Sequence, residues 1–88
     1  MQNFLRIHDN DNVAVAIETL EKGAKITISD NKGDICVTAI EEIPAGHKIA
    51  LQDMPEGTPV IKYGFRIGFT KEPVGKGAWI HTHNLKTG

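Results

Sequence analysis

Short apolar runs alternate with polar turn residues along the whole chain, and this pattern predicts β-strands. A first apolar group begins at Phe4, and further runs rich in β-branched residues occupy residues 25–28, 34–40 and 60–63. Their lengths and compositions are typical of strands. Polar residues 29–33, which end in glycine, form a good hairpin loop between the two runs that flank them.

Residues 11–20 are ambiguous between helix and strand. Their apolar side chains recur at the i, i+4, i+7 spacing of one helix face: Val13, Ile17 and Leu20. The same residues also alternate as they would in a strand. Asp9 or Asp11 could cap a helix at its start, and Gly23 could end it. These signals favour one short helix near residues 11–20.

One seven-residue pattern occurs four times: an apolar residue, two residues, glycine, two residues, then Ile or Val. The copies are residues 20–26, 43–49, 54–60 and 74–80. Two copies have proline at the second place, which presets φ for a turn, and the glycine supplies the positive φ that a type II turn needs. Each copy is therefore predicted to be a tight turn that enters a strand. The spacing between copies is irregular, which excludes a solenoid and indicates a compact domain.

Length, charge and cysteine content exclude several classes of protein. Eighty-eight residues fit a single domain over residues 1–88, and a net charge of −1 provides no basic surface for nucleic acid. No apolar run approaches the ~20 residues that a membrane span requires. The single cysteine, Cys36, is expected in the core of its apolar run and cannot form an internal disulfide. We expect a cytoplasmic domain with neither a nucleic-acid nor a membrane partner.

The strongest candidate for chemistry is the segment 79–84, which reads Trp-Ile-His-Thr-His-Asn. If it is a strand, His81 and His83 lie on the same face, where two imidazoles can converge on a metal ion or an anion. Asn84 follows with an amide that both donates and accepts hydrogen bonds. On spacing alone, the two histidines could equally be exposed polar residues on the solvent face of a terminal strand.

Two other segments contain groups that suit an acidic ligand. His47 and Lys48 follow the turn glycine of the second copy, and a cation there would attract a carboxylate. Lys62 and Tyr63 offer an ammonium group and a phenol. The alternatives are a solvated Lys48 beside a turn histidine, and a half-buried strand with Tyr63 packed and Lys62 outside.

The sequence resembles a known family in several places. Residues 39–54 resemble the strand–turn signature of the SAF domain, which has a β-clip fold. Five motifs in order look like the N-terminal domain of the altronate/galactarate dehydratase family and the small subunit of the related sulfolactate sulfo-lyase. They are residues 11–16, 46–48, 60–64, 67–68 and 81–84. The resemblance covers essentially the whole chain and implies a mainly β, SAF-like β-clip domain.

The resemblance implies β-elimination of water from a hexonate or hexarate, or of sulfite in the sulfolactate relatives. Single-chain family members continue into a much larger domain, so we expect this chain to be a small subunit that acts with a separate large dehydratase subunit. The family also implies a divalent metal, Fe(II) or Mn(II), completed by that large subunit. The residues expected at the site are His81 and His83 as catalytic residues and metal ligands, with His47, Lys48, Lys62 and Asn84 binding the sugar acid.

A different class of function stays open at this point. A non-catalytic β-clip module for carbohydrate binding or assembly would have the same strands and turns. The His-x-His-Asn motif at residues 81–84 distinguishes the two, because a generic β-clip has no reason to carry it. Exposed strand edges and a small core also make a homo-oligomer an expectation.

Overall fold

Nine short strands form the regular structure of the chain in the computed structural model, which describes residues 3–6, 8–30 and 33–87. The strands are β1 (Phe4–Leu5), β2 (Val13–Ala16), β3 (Lys25–Asp30), β4 (Gly33–Thr38), β5 (Lys48–Ala50), β6 (Pro59–Lys62), β7 (Phe65–Thr70), β8 (Trp79–Ile80) and β9 (Leu85–Lys86). The described ranges contain no helix, and therefore none that could cross a membrane. The mainly β prediction is confirmed.

The strands form three small antiparallel sheets. The largest has the order β1-β2-β5-β8, a hairpin joins β3 to β4, and the third sheet has the order β6-β7-β9. The pairing of β5 with β8 is the one that positions the candidate site, because it joins two segments about 30 residues apart in the sequence.

All four copies of the repeated pattern form the predicted turn. Their glycines have φ between 82° and 91°, and in each copy the residue after the glycine donates its N–H to the carbonyl three residues earlier. These four bonds are Ala24 to Glu21, His47 to Pro44, Thr58 to Pro55 and Ala78 to Gly75, at 2.9 to 3.2 Å. A positive φ at the third position defines a type II turn. A strand follows each turn, as the pattern predicts.

The four turns also associate in pairs around the core. An isolated bridge joins Leu20 to Ile43, and a second joins Met54 to Val74. The first pair belongs to one cluster of buried apolar residues and the second pair to another. The apolar residue that begins each copy is therefore a core residue, which explains why the pattern requires it.

The short helix predicted near residues 11–20 is wrong, because residues 13–16 form β2 between β1 and β5. The side chain of Asn12 does not cap a helix; its amide donates to the Pro59 carbonyl at 2.9 Å and accepts from the Ile61 N–H at 2.8 Å. These long-range bonds hold β2 beside β6. Tertiary pairing thus overrides the local helical spacing.

Asp11 is likewise buried and ties two loops together. One carboxylate oxygen accepts from the Gly64 N–H at 2.8 Å and the other from the His8 N–H at 3.2 Å. The helix cap predicted for Asp9 or Asp11 therefore has no helix to cap. Gly64 and Tyr63 both have positive φ, 81° and 54°, as a two-residue hairpin turn between β6 and β7 requires.

The prediction that Cys36 lies in the core is also wrong, because its side chain is exposed. Strand β4 alternates, and Val37 is the residue that enters the core while Cys36 lies opposite Thr27 on the outer face of the hairpin. The hairpin itself is present, with Asp30 paired to Gly33. Loop residues 31 and 32 lie outside the described residues.

Candidate functional site

The strand predicted over residues 79–84 ends at Ile80, so the predicted alternation of His81 and His83 along a strand is wrong. Beyond β8 the chain turns back: the N–H groups of Asn84 and Leu85 both donate to the His81 carbonyl, at 3.1 and 2.9 Å. The turn redirects the backbone into β9, which pairs with β7 rather than with β5. The two histidines are therefore positioned by a turn.

Asn84 holds this turn from inside. Its side chain is 5% exposed, its oxygen accepts from the His81 N–H at 3.0 Å, and its amide donates to the Trp79 carbonyl at 2.8 Å. Both ends of the amide thus bind the backbone on either side of Ile80. Because these bonds fix the backbone of His81, Asn84 determines where that imidazole lies.

Four aromatic rings gather at the end of β8, and we call them the ring cluster: His47, Trp79, His81 and His83. The centroids of His47 and His81 are 4.0 Å apart. The Trp79 indole lies 5.6 Å from His47, 6.1 Å from His81 and 4.8 Å from His83. Two histidines that the sequence separates by more than thirty residues are therefore direct neighbours.

Strand register explains this meeting. Lys48 of β5 pairs with Ile80 of β8, so the next residues beyond that pair, His47 and His81, face each other across the two chains. Opposite side chains in antiparallel strands are close enough for rings to touch. Trp79 precedes His81 by two residues, which places the indole on the same side of β8.

The ring cluster contains one hydrogen bond between side chains. The Trp79 indole N–H donates to Nδ1 of His47 at 3.0 Å. Trp79 is half-buried and packs against the first core cluster, while His81 is half-buried and His83 is exposed. The indole therefore anchors the ring cluster to the core while the imidazoles reach the surface.

Lys48 lies near His81, and Lys62 lies near Lys48. Burial lowers the pKa of Lys48, and the charge of Lys62 lowers it further. Lys62 in turn lies with its Nζ 5.1 Å from the centre of the Tyr63 ring. A half-buried ammonium group beside a second one favours an anion between them, because the anion removes their repulsion.

The imidazole of His81 is affected by Lys48 and by the neighbouring histidines. Desolvation lowers its pKa from 6.5, and His47, Lys48 and His83 add to that effect. His81 is therefore neutral at neutral pH, with a free lone pair for a proton or a metal ion. The structure thus brings His47, His81 and His83 together around Trp79, with Lys48 close enough for its charge to affect His81. Lys62 is near Lys48, and within the described residues no contact joins it to the ring cluster.

The whole chain has a match among known families. Residues 2–88 match the family described as altronate/galactarate dehydratase SAF domain. The chain belongs to this family. It is 37% identical to an altronate dehydratase of Bacillus subtilis (strain 168) over 87 residues, which make up 99% of this chain and 17% of that protein.

Two further relatives differ greatly in length. An altronate dehydratase of Escherichia coli (strain K12) is 39% identical over 84 residues, covering 96% of this SAF domain and 16% of that protein. A (2R)-sulfolactate sulfo-lyase subunit alpha of Chromohalobacter salexigens is 34% identical over 85 residues, covering 92% of the domain and 90% of the relative. The SAF domain thus spans less than a fifth of the two dehydratases but most of the sulfo-lyase subunit.

The sequence predicts His81 and His83 as metal ligands. Within residues 3–6, 8–30 and 33–87, no three side chains of His, Cys, Asp or Glu are placed to hold one metal ion. His81 and His83 remain as two candidate nitrogen ligands. His8 lies elsewhere, with its ring against Gly64 and its Nδ1 accepting from the Asn10 N–H at 3.1 Å.

Sequence reasoning missed the central place of Trp79 in this site. The signal was present in the repeated pattern, where His47 and Trp79 follow the turn glycines of the second and fourth copies by one and two residues. This signal predicts the contact of His47 with Trp79 only once the pairing of β5 with β8 is known, because the pattern does not indicate which copies lie side by side.

Proposed function

We propose that this SAF domain binds a sugar acid and supports β-elimination of water from a hexonate or hexarate, together with a separate large dehydratase subunit. The observation that carries this proposal is the convergence of three histidines around Trp79, with the charge of Lys48 acting on His81 and that of Lys62 on Lys48. The altronate and galactarate dehydratase relatives, of which the domain spans 14 to 17%, support the need for a larger catalytic part.

Lys48 and Lys62 bind the carboxylate of the sugar acid in this proposal. Two ammonium groups that repel each other across a half-buried surface gain a shared counterion when an acid binds. His47 lies beside Lys48 and adds a neutral contact for another substrate oxygen. Near-neutral overall charge with local positive charge suits an anionic small molecule better than a polyanion.

His81 and His83 transfer protons in this proposal. Elimination next to a carboxylate requires a base for the α-proton, stabilisation of the enediolate, and an acid for the leaving hydroxyl group. An imidazole with a lowered pKa is an available base at neutral pH, which fits His81. The exposed His83 lies next to Trp79, with ring centres 4.8 Å apart, and is accessible to a donor or acceptor from the large subunit.

The same two imidazoles suit a divalent metal, Fe(II) or Mn(II), whose remaining ligands come from the large subunit. When bound, such an ion supplies an electrophile for the carboxylate and hydroxyl oxygens. Neutral imidazole nitrogens are suitable ligands. Lys48 and Lys62 repel a cation, so the large subunit must provide carboxylate ligands that offset their charge.

Reconstitution with a candidate large subunit tests this function. We expect elimination from altronate or galactarate only when both chains are present, and a loss of about a hundredfold or more in His81→Ala or His83→Ala. Thr82→Ala is the matched control, because Thr82 is an exposed residue between the two histidines. If both histidine variants assemble and turn over at the rate of the control, the catalytic assignment fails.

A second candidate function is sulfite elimination. The domain covers 90% of a (2R)-sulfolactate sulfo-lyase subunit alpha at 34% identity. This relative is of similar length, and its name refers to a sulfo-lyase activity. The positive surface would bind sulfolactate by the same contacts. Sulfite release from (2R)-sulfolactate by the reconstituted pair, without activity on altronate or galactarate, decides for this alternative.

A further inference from the structure

The hydrogen bond between Trp79 and His47 determines which nitrogen of that imidazole carries the proton. An indole Nε1 only donates, so Nδ1 of His47, 3.0 Å away, must accept with a lone pair. A neutral imidazole that accepts at Nδ1 carries its proton on Nε2. The structure therefore presents His47 as the Nε2–H tautomer.

The protonated nitrogen of His47 is available to a ligand. In the described part of the chain, no buried side-chain nitrogen or oxygen lacks a hydrogen-bond partner. The described residues provide no partner for Nε2 of His47, so this atom reaches solvent. His81, whose ring centre is 4.0 Å from that of His47, is close enough to the half-buried Lys48 to be affected by its charge, and the same charge attracts anions to this region.

From these contacts we infer that Trp79 is a positioning residue, which fixes His47 as a hydrogen-bond donor to an oxygen of the bound acid. The same bond makes His47 unsuitable as a metal ligand. Its Nε2 carries a proton, and the lone pair of its Nδ1 accepts the indole N–H. Trp79 thereby gives different roles to two imidazoles whose ring centres are only 4.0 Å apart. His47 recognises oxygen, and His81 keeps a free lone pair. The part about the acid rests on the proposed function, whereas the tautomer does not.

The tautomer of His47 can be measured by NMR on the isolated chain, without a large subunit. Long-range ¹H–¹⁵N correlation spectra of the labelled chain distinguish a protonated from an unprotonated imidazole nitrogen at each histidine. We expect His47 to be mainly the Nε2–H form. Its ratio of Nε2–H to Nδ1–H forms should fall about fivefold in Trp79→Phe, which keeps an aromatic ring and loses the indole N–H. The exposed His83 serves as the internal reference.

Two results would overturn the tautomer assignment. A wild-type His47 that is mainly Nδ1–H contradicts it directly, whether or not the Trp79→Phe variant folds. An identical tautomer ratio in wild type and Trp79→Phe shows that the indole does not fix the ring.

The contact with the acid is tested in the reconstituted pair of subunits. Trp79→Phe should raise KM for the sugar acid about fivefold and change kcat less, since a donor to an oxygen of the ground-state substrate contributes to binding. His47→Gln, whose amide both accepts and donates, should restore most of the affinity that His47→Ala loses. If KM is unchanged in Trp79→Phe, or if Gln rescues no better than Ala, the contact is disproved. A pair without any turnover refutes the proposed function and leaves the tautomer result intact.

Discussion

At Lys48, burial and charge act on one residue in the same direction. Its ammonium group is half-buried, and the nearby charge of Lys62 lowers its pKa further. The charged form of Lys48 is more favourable in the unfolded chain, because there the ammonium group is hydrated and far from Lys62. The residue therefore opposes stability, as expected of a residue kept for the ligand-binding role proposed above.

Lys48→Met should raise the free energy of unfolding at pH 7 by about 0.5 kcal/mol, the size of an interaction between partly exposed charges. The apolar stem is retained while the repulsion with Lys62 is removed. Denaturant unfolding measures the change. Lys22→Met, at an exposed turn residue, is the control and should change stability less. A Lys48→Met variant less stable than wild type would contradict this reasoning.

His81 should titrate below pH 6.5, because desolvation and the neighbours His47, Lys48 and His83 lower its pKa in the folded state. Between the folded and unfolded pKa values the unfolded chain binds more protons, so stability falls as pH decreases through this window. Proton NMR titration of the ring measures the pKa directly. We expect a rise towards 6.5 in Lys48→Met. A wild-type value at or above 6.5 would disprove the assigned environment.

At the scale of elements, the turn after β8 depends on one buried amide. Asn84 bonds both the His81 N–H and the Trp79 carbonyl. Asn84→Ala leaves these groups without their partner, and we expect a loss of about 1 to 3 kcal/mol in unfolding free energy. Thr82→Ala in the same turn should stay near wild type. Equal stabilities of the two variants, measured by urea unfolding, would show that the amide does not hold the turn.

Strand β7 approaches the C-terminal strand closely at Gly68. A Cβ there would collide with the backbone carbonyl of Lys86, whereas a Cβ at Gly75 would meet only the end of the Ile40 side chain at 3.8 Å. Gly68→Ala should therefore cost about 2 kcal/mol or more, as other backbone clashes do, and Gly75→Ala much less. Thermal unfolding of the two variants tests this difference, and a reversed order would contradict the pairing of β7 with β9.

Sequence reasoning succeeded for local features and failed where distant pairing decides. The four turns were predictable because proline and glycine at fixed places specify φ within four residues. The helix near residues 11–20 and the buried Cys36 were wrong because the partners of β2 and the faces of β4 are set by strands elsewhere. The roles of the predicted site residues stay predictions, and the ring cluster could not be foreseen without the β5–β8 register.

At the scale of the whole molecule, two apolar clusters support the four turns. Met54 is 1% exposed in the second cluster, and Met54→Ala should lower the unfolding free energy by about 2 to 5 kcal/mol. Phe65 is 74% exposed at the β6–β7 hairpin, so Phe65→Ser is the control and should change stability by about 0.5 kcal/mol or less. Similar losses in both variants would contradict the assigned core. Self-association through strand edges stays a prediction, which light scattering tests.

The central claim is that the ring cluster and its lysines form the surface where a sugar acid binds beside a larger catalytic subunit. A cavity elsewhere, with a volume of about 290 Å³ and lined by residues that include Arg6, Asp34 and Gln52, is the rival location. The most direct measurement is the pattern of backbone and indole ¹H–¹⁵N shifts in the labelled chain when galactarate is added in the presence of the large subunit. We predict changes centred on Lys48, the Trp79 indole and His81. Changes centred on Arg6 and Asp34, with the ring cluster unaffected, would contradict the claim.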